Sequence, residues 1–141
     1  MRKGTAIVLL LVLLSCIFLG ARIYMWYTSP FKVQEISTDV IVQKGKEIGL
    51  NVDKDALHFG MYGPRSGSTR GINITNTMDR PVLVKISKDK SEISGWISST
   101  HSEFVLESGA EEYVKFTCTI PAGTEEGTYN GSVYVEYYRT R

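Results

Sequence analysis

The stretch LESGAEEYVKFTCTIPAGTEEGTYNGSVYVEY, residues 106–137, decides the fold class of this chain. It holds two runs in which apolar and polar residues alternate, separated by the turn sequence Pro121-Ala122-Gly123. Alternation with a period of two is typical of strands that bury one face, because successive side chains point to opposite sides. The stretch therefore predicts two strands of a half-buried sheet. Their apolar positions are Val114, Phe116, Cys118, Ile120, Tyr129, Val133, Val135 and Tyr137.

The same alternation continues towards the N-terminus. Short runs between turn residues predict further strands near residues 48–52, 57–61, 72–75, 82–86, 96–97 and 104–106. The glycine-rich segment 63–71 is expected to be a plain loop, since it lacks the Gly-Lys-Ser/Thr of a phosphate-binding loop. Seven or eight such strands predict an all-β, antiparallel sandwich of two sheets. The predicted inward residues are Leu50, Val52, Leu57, Phe59, Ile72, Ile74, Val82, Val84, Ile86, Trp96, Val114, Phe116, Cys118, Val133 and Val135.

An apolar segment, residues 6–27, precedes the strands and holds a single charge, Arg22. About 20 apolar residues are enough for a helix to cross a bilayer. Arg2 and Lys3 precede the segment, so the positive-inside rule predicts a cytoplasmic N-terminus and a C-terminal domain outside. We therefore predict a membrane anchor over residues 1–27, a tether over 28–38 and a β-sandwich domain over 39–141.

Other processing routes remain open. Leu13-Leu14-Ser15-Cys16 resembles a lipobox, in which Cys16 would be acylated, although residues 17–27 stay apolar rather than forming a polar tether. Cleavage after Ala21 would make the segment a secretory signal. Arg2-Lys3-Gly4 before an apolar run resembles the processing site of archaeal type IV pilin-like signals. All of these routes export the domain.

Three segments carry a resemblance to a known group of proteins. They are ALHFG at 56–60, GINITNTMDRPVLVKIS at 71–87, and SGWIS at 94–98 together with the stretch 106–137. The chain is similar to immunoglobulin-like domains of the ASH/Hydin and PapD-like type, in the small membrane-anchored form of archaeal envelope proteins. This resemblance covers about residues 45–138. It implies an immunoglobulin-like sandwich that binds or braces other proteins, and it points to no activity.

Composition argues against several classes of function. Three of the 16 basic residues belong to the anchor, which leaves 13 basic and 15 acidic residues, and this balance argues against nucleic acid binding. Residues 51–55 resemble the start of a calcium loop, but Ala56 and Tyr62 stand where glycine and glutamate are required. His58 and His101 have no second ligand nearby in the sequence. We predict a protein that is not an enzyme, with no cofactor, metal or small-molecule substrate.

The candidate sites are of other kinds. Asn73 and Asn130 each begin an N-glycosylation sequon, and alternation turns both to the solvent face. Cys118 is expected to be a buried free thiol. Tyr134 and Tyr138 face outwards on the last strand and are candidate protein contacts. We expect an extracytoplasmic domain that binds or scaffolds another envelope protein. The alternatives are a subunit of a pilus-like filament and a lipid-anchored surface protein.

Overall fold

The computed structural model describes residues 3–45 and 56–140, and the chain forms two compact units, residues 1–30 and 31–141. The first unit is helix α1, Lys3–Thr28. Its apolar side chains are exposed on every side, which is typical of a helix surrounded by lipid. Within the described ranges, Gly4–Thr28 is long and apolar enough to cross a membrane. Pro30 disfavours the helical conformation at Ser29, so the helix ends where the sequence predicts.

The second unit is mostly β-structure. It also contains a 3-10 turn, Ile93–Gly95. The strands are β1 Lys32–Val42, β2 Ala56–Tyr62, β3 Gly67–Thr75, β4 Val82–Lys88, β5 Ile97–Ser99, β6 Glu103–Leu106, β7 Glu111–Thr119 and β8 Gly127–Arg139.

The described strands form two sheets. The five-stranded sheet has the order β2-β1-β8-β4-β6, and the three-stranded sheet has the order β3-β7-β5. The expectation of an entirely antiparallel sandwich is wrong at one position, because β1 and β2 pair in parallel. Parallel neighbours need a crossover connection of about a dozen residues, which is longer than a hairpin turn. Residues 43–55 supply that length.

Strand β1 occupies much of the predicted tether, residues 28–38. The structure differs from that expectation because Lys32–Val42 pairs along its whole length with β8. The first four residues of β1 are exposed and carry no alternating apolar signal. Only the three residues 29–31 separate α1 from β1.

Two further predictions concern residues 48–52 and 63–71. The strand predicted near residues 48–52 lies outside the described residues. The predicted loop 63–71 is shorter than expected, because β3 begins at Gly67 and pairs with β7 from that residue onwards. The first five residues of β3 are glycine, serine, threonine and arginine, so the sequence shows no apolar alternation there.

Most predicted inward residues form the core. Those buried are Leu57, Phe59, Ile74, Val82, Val84, Val114, Phe116, Cys118, Val133 and Val135. Ile72, Ile86 and Trp96 are only half-buried and pack against the core, and Leu50 and Val52 fall outside the described residues. The structure adds buried residues that were not in the predicted set, namely Ile36, Val40, Val42, Ile93, Ile97, Leu106, Ile120 and Tyr137.

A polar cluster, here named the serine clamp, fixes the crossover from β4 to β5. It consists of Asp89, Ser91, Ser94 and Ser132. Oδ1 of Asp89 accepts hydrogen bonds from the Ser91 amide at 3.1 Å and from the hydroxyls of Ser91 and Ser94, while Oδ2 accepts one from the Ser132 amide at 2.9 Å. The Ser91 and Ser94 hydroxyls contribute most to holding the pKa of Asp89 below its usual value. The clamp therefore ties the crossover to β8, the central strand of the five-stranded sheet.

Candidate contact surface

The outer face of β8 carries the two tyrosines that the sequence nominates. Val133, Val135 and Tyr137 are buried, so alternation places Tyr134 and Tyr138 on the opposite face, where both are half-exposed. This face of the five-stranded sheet points away from the core. The structure therefore brings both tyrosines to one surface, formed by a strand that is paired on both sides.

Hydrogen bonds fix the orientation of Tyr138. Its hydroxyl donates to Oε2 of Glu136 at 2.7 Å, and the Ser87 hydroxyl donates to Oε1 of the same carboxylate at 3.0 Å. The hydrogen bond to Glu136 is the main cause that raises the pKa of Tyr138, so the phenol stays protonated. A half-exposed ring held in this way loses little conformational entropy when it is covered by a partner.

A lysine completes the polar part of this surface. Nζ of Lys85 lies 5.5 Å from the centre of the Tyr138 ring and 3.1 Å from Oε2 of Glu103 on the edge strand β6. Lys85 is also the cross-strand partner of Glu136. Opposite charges therefore alternate across three neighbouring strands, and each is partly exposed to water.

Aliphatic residues flank the tyrosines on the same face. Leu83 pairs with Tyr138 on one side and with Val105 on the other. Val105 is 55 % exposed, and Val33, which pairs with Glu136, is 52 % exposed. We call the set the outer patch. Its members are Val33, Leu83, Lys85, Val105, Tyr134, Glu136 and Tyr138.

The outer patch combines two aromatic rings, three aliphatic side chains and two charged side chains. Aromatic and aliphatic side chains beside a few fixed polar groups are common in surfaces that bind protein. Sequence alternation located the tyrosines, but it missed Leu83, Lys85 and Val105. Only the register of β4 against β6 and β8 brings those three residues beside them.

The two sequon asparagines lie on different sheets. Asn73 is exposed on β3, where it pairs with Tyr113. Asn130 is exposed on β8, where it pairs with Asp39. The candidate lipidation residue, Cys16, is exposed in the middle of α1. None of these three residues therefore belongs to the outer patch.

Both histidines have acidic neighbours. Nδ1 of His58 contacts Oδ1 of Asp39 across the parallel pair, and Nδ1 of His101 lies 3.7 Å from Oε1 of Glu112. Within residues 3–45 and 56–140, no group of three or more His, Cys, Asp or Glu side chains is arranged to hold a metal ion.

The thiol of Cys118 is buried, as alternation predicts. Removal from water raises its pKa to about 11, so the reactive thiolate is disfavoured. Cys118 therefore packs as a small apolar side chain in the hydrophobic core.

Comparisons with models of protein families, with curated proteins and with solved structures find no match to this chain.

Proposed function

We propose that this chain is a single-pass membrane protein whose N-terminus is cytoplasmic and whose β-domain lies outside. The support is a helix that is apolar on every side, preceded by Arg2 and Lys3 and followed after three residues by a folded domain. We also propose that the domain is immunoglobulin-like. The two packed sheets and the motifs of residues 56–60 and 71–87 support that assignment.

The domain binds or scaffolds another protein of the cell envelope and does not act as an enzyme. The outer patch is the observation that carries this proposal. Tyr138 is held by Glu136, and exposed Val33 and Val105 flank it on paired strands. An apolar side chain that is more than half exposed gains free energy when a partner covers it, at roughly 25 cal/mol per Å² of apolar surface.

Site-specific photocrosslinking in native membranes tests the proposed interface. A photoreactive phenylalanine analogue at Tyr134 or at Val105 should capture the same protein. The same analogue at Ser98, which is exposed on the three-stranded sheet, is the matched control and should not capture it. Capture from Ser98 at an equal yield, or no product from either patch position, would remove the outer patch as the interface.

The mature N-terminus separates this proposal from its two alternatives. A retained signal anchor leaves the chain starting at Met1 or Arg2. A pilus-like subunit processed after Gly4 starts at Thr5, and a lipid-anchored protein starts at an acylated Cys16. Intact-mass measurement of the protein from native membranes distinguishes these three outcomes.

A further inference from the structure

We propose that Asn73 carries an N-linked glycan whose first sugar lies on the ring of Tyr113, and that Asn130 stays unmodified. The proposal rests on the export of the domain proposed above, because oligosaccharide transfer takes place on the non-cytoplasmic side. It concerns the outer face of the three-stranded sheet, which the outer patch does not include.

The sequon at Asn73 is open to a modifying enzyme. Among the described strands, β3 is at the edge of its sheet, with β7 on one side. Asn73 and Thr75 are both exposed, and neither side chain forms a hydrogen bond within the described part of the chain. Ile74, the middle residue of the sequon, is buried and holds the strand in place.

Tyr113 offers a flat aromatic surface beside that asparagine. It is the cross-strand partner of Asn73 on β7 and is 53 % exposed. Its ring leans over Gly71, where an added Cβ would lie 2.2 Å from Oη of Tyr113. The ring therefore lies against the outer face of β3, two residues before Asn73 on the same face. The C–H groups of a pyranose ring pack favourably on the negative face of an aromatic ring.

The sequon at Asn130 has a different setting. It lies on the central strand β8, where Asn130 pairs with Asp39 on β1. The hydroxyl of its third residue, Ser132, donates to Oε1 of Glu35 at 2.7 Å, and the amide of the same residue donates to Oδ2 of Asp89. The middle residue, Gly131, packs so closely that an added Cβ would lie 2.6 Å from Cγ2 of Ile93. Hydrogen bonds and close packing thus hold this sequon in the folded sheet.

The modification joins the side-chain nitrogen of Asn73 to C1 of a sugar whose donor is a lipid-linked phosphate or diphosphate oligosaccharide. The N–C1 bond forms as the bond from C1 to the phosphate oxygen breaks. The bonding electron pair leaves with the lipid phosphate, and the amide nitrogen gives up one proton to the transferase. No oxidant or reductant is needed.

Glycopeptide mapping of the full chain from native membranes tests the proposal. The wild-type protein and N130Q should carry the same added mass, located on the peptide that contains Asn73, whereas N73Q and T75A should lose it. T75S keeps the sequon hydroxyl and should therefore retain the glycan. It is the control for effects of changing Thr75 other than loss of the sequon. An unmodified Asn73, or occupancy of Asn130 equal to or above that of Asn73, would overturn the proposal.

The role of Tyr113 needs a separate measurement. The glycan should raise the melting temperature of the wild-type domain above that of N73Q. In the Y113A background, the difference in melting temperature between the protein with Asn73 and N73Q should be smaller by about half. This is expected because the contributions of two groups in contact are coupled. Equal shifts in both backgrounds would exclude the tyrosine as the surface for the sugar.

A topology control distinguishes failure of this proposal from failure of the proposed location. A122C places a thiol in the exposed turn between β7 and β8. On intact cells or spheroplasts, a membrane-impermeant maleimide should label A122C but not the parent protein. A labelled domain with an unmodified Asn73 overturns the glycan and leaves the location standing. An unlabelled domain that labels after lysis overturns the location.

Discussion

Replacement of Asp89 by asparagine should destabilise the domain through one specific hydrogen bond. The carboxylate accepts from Ser91 and Ser94 through Oδ1 and from the Ser132 amide through Oδ2. An asparagine side chain has one acceptor oxygen. If that oxygen faces the serines, its NH₂ group faces the Ser132 amide, so a donor meets a donor. Either orientation of the amide leaves part of the serine clamp without its acceptor.

The magnitude follows from what is lost. A partly buried donor deprived of its acceptor costs about 1–3 kcal/mol, and the remaining hydrogen bonds weaken when the acceptor loses its charge. Because the Asp89 carboxylate is partly exposed to water, we expect a loss of about 2 kcal/mol in the free energy of unfolding near pH 7. With a typical slope for a domain of this size, the urea midpoint should fall by about 1 M.

The effect should depend on pH with a defined sign. The pKa of Asp89 in the folded chain lies below its ordinary value of 3.8, so the folded state favours the charged form. This stabilisation is complete above about pH 5 and is lost as the pH falls through the lowered pKa. The difference in stability between wild type and D89N should therefore be largest near pH 7 and shrink below about pH 4.

Urea unfolding of the detergent-solubilised full chain provides the assay. The chain has two tryptophans, so a W26F background leaves Trp96, whose ring centre lies 4.6 Å from that of Tyr129, as the fluorescent reporter. D79N, in an exposed turn, is the matched control and should change stability by less than about 0.5 kcal/mol. A midpoint for D89N equal to that of D79N, or a difference that stays constant down to about pH 3, would refute the reasoning.

Three further predictions concern the core. Gly131→Ala should cost about 1–3 kcal/mol, because the added Cβ would lie 2.3 Å from a hydroxyl of the serine clamp, whereas Gly127→Ala, with its nearest contact at 3.8 Å, should be nearly neutral in urea unfolding. Cys118 should not react with a maleimide in the native protein at about pH 7, and labelling faster than unfolding would contradict its burial. Phe116→Ala should lower the free energy of unfolding by about 3–5 kcal/mol and Val105→Ala by less than about 0.5 kcal/mol; similar urea midpoints would contradict their different burial.

Alternation predicts the strands whose buried side chains are all apolar. In β7, Val114 and Phe116 are buried where the period of two places them, and β8 follows the same rule. In β1, the inward position of Thr38 between Ile36 and Val40 interrupts the apolar series, and Thr38 is nevertheless buried. A polar residue at an inward position removes the signal that a single sequence offers. For that reason the sequence predicts a tether over residues 28–38, where the structure has the first seven residues of β1.

The outer patch shows a second limit of the sequence. The side on which Tyr134 and Tyr138 lie follows from their own strand, because alternation fixes it. Their neighbours depend on strand order and register, which join β8 to β4 and β1 although these strands are far apart in the sequence. Leu83 comes to lie beside Tyr138 only through that long-range pairing. The alternation of apolar and polar residues within one strand can therefore predict contact residues. It cannot predict which residues of other strands lie beside them.

The outer patch is tied to the first strand of the β-unit by the pairing of β1 with β8. The chain leaves α1 and, after three residues, enters β1, which pairs with β8 from Lys32↔Tyr137 to Val42↔Gly127. The tyrosines of the outer patch are carried by that same β8 strand. Backbone hydrogen bonds therefore fix the outer patch to the first strand of the β-unit. Sites on paired strands keep their geometry better than sites on loops, which supports the proposal that this domain braces a neighbouring protein.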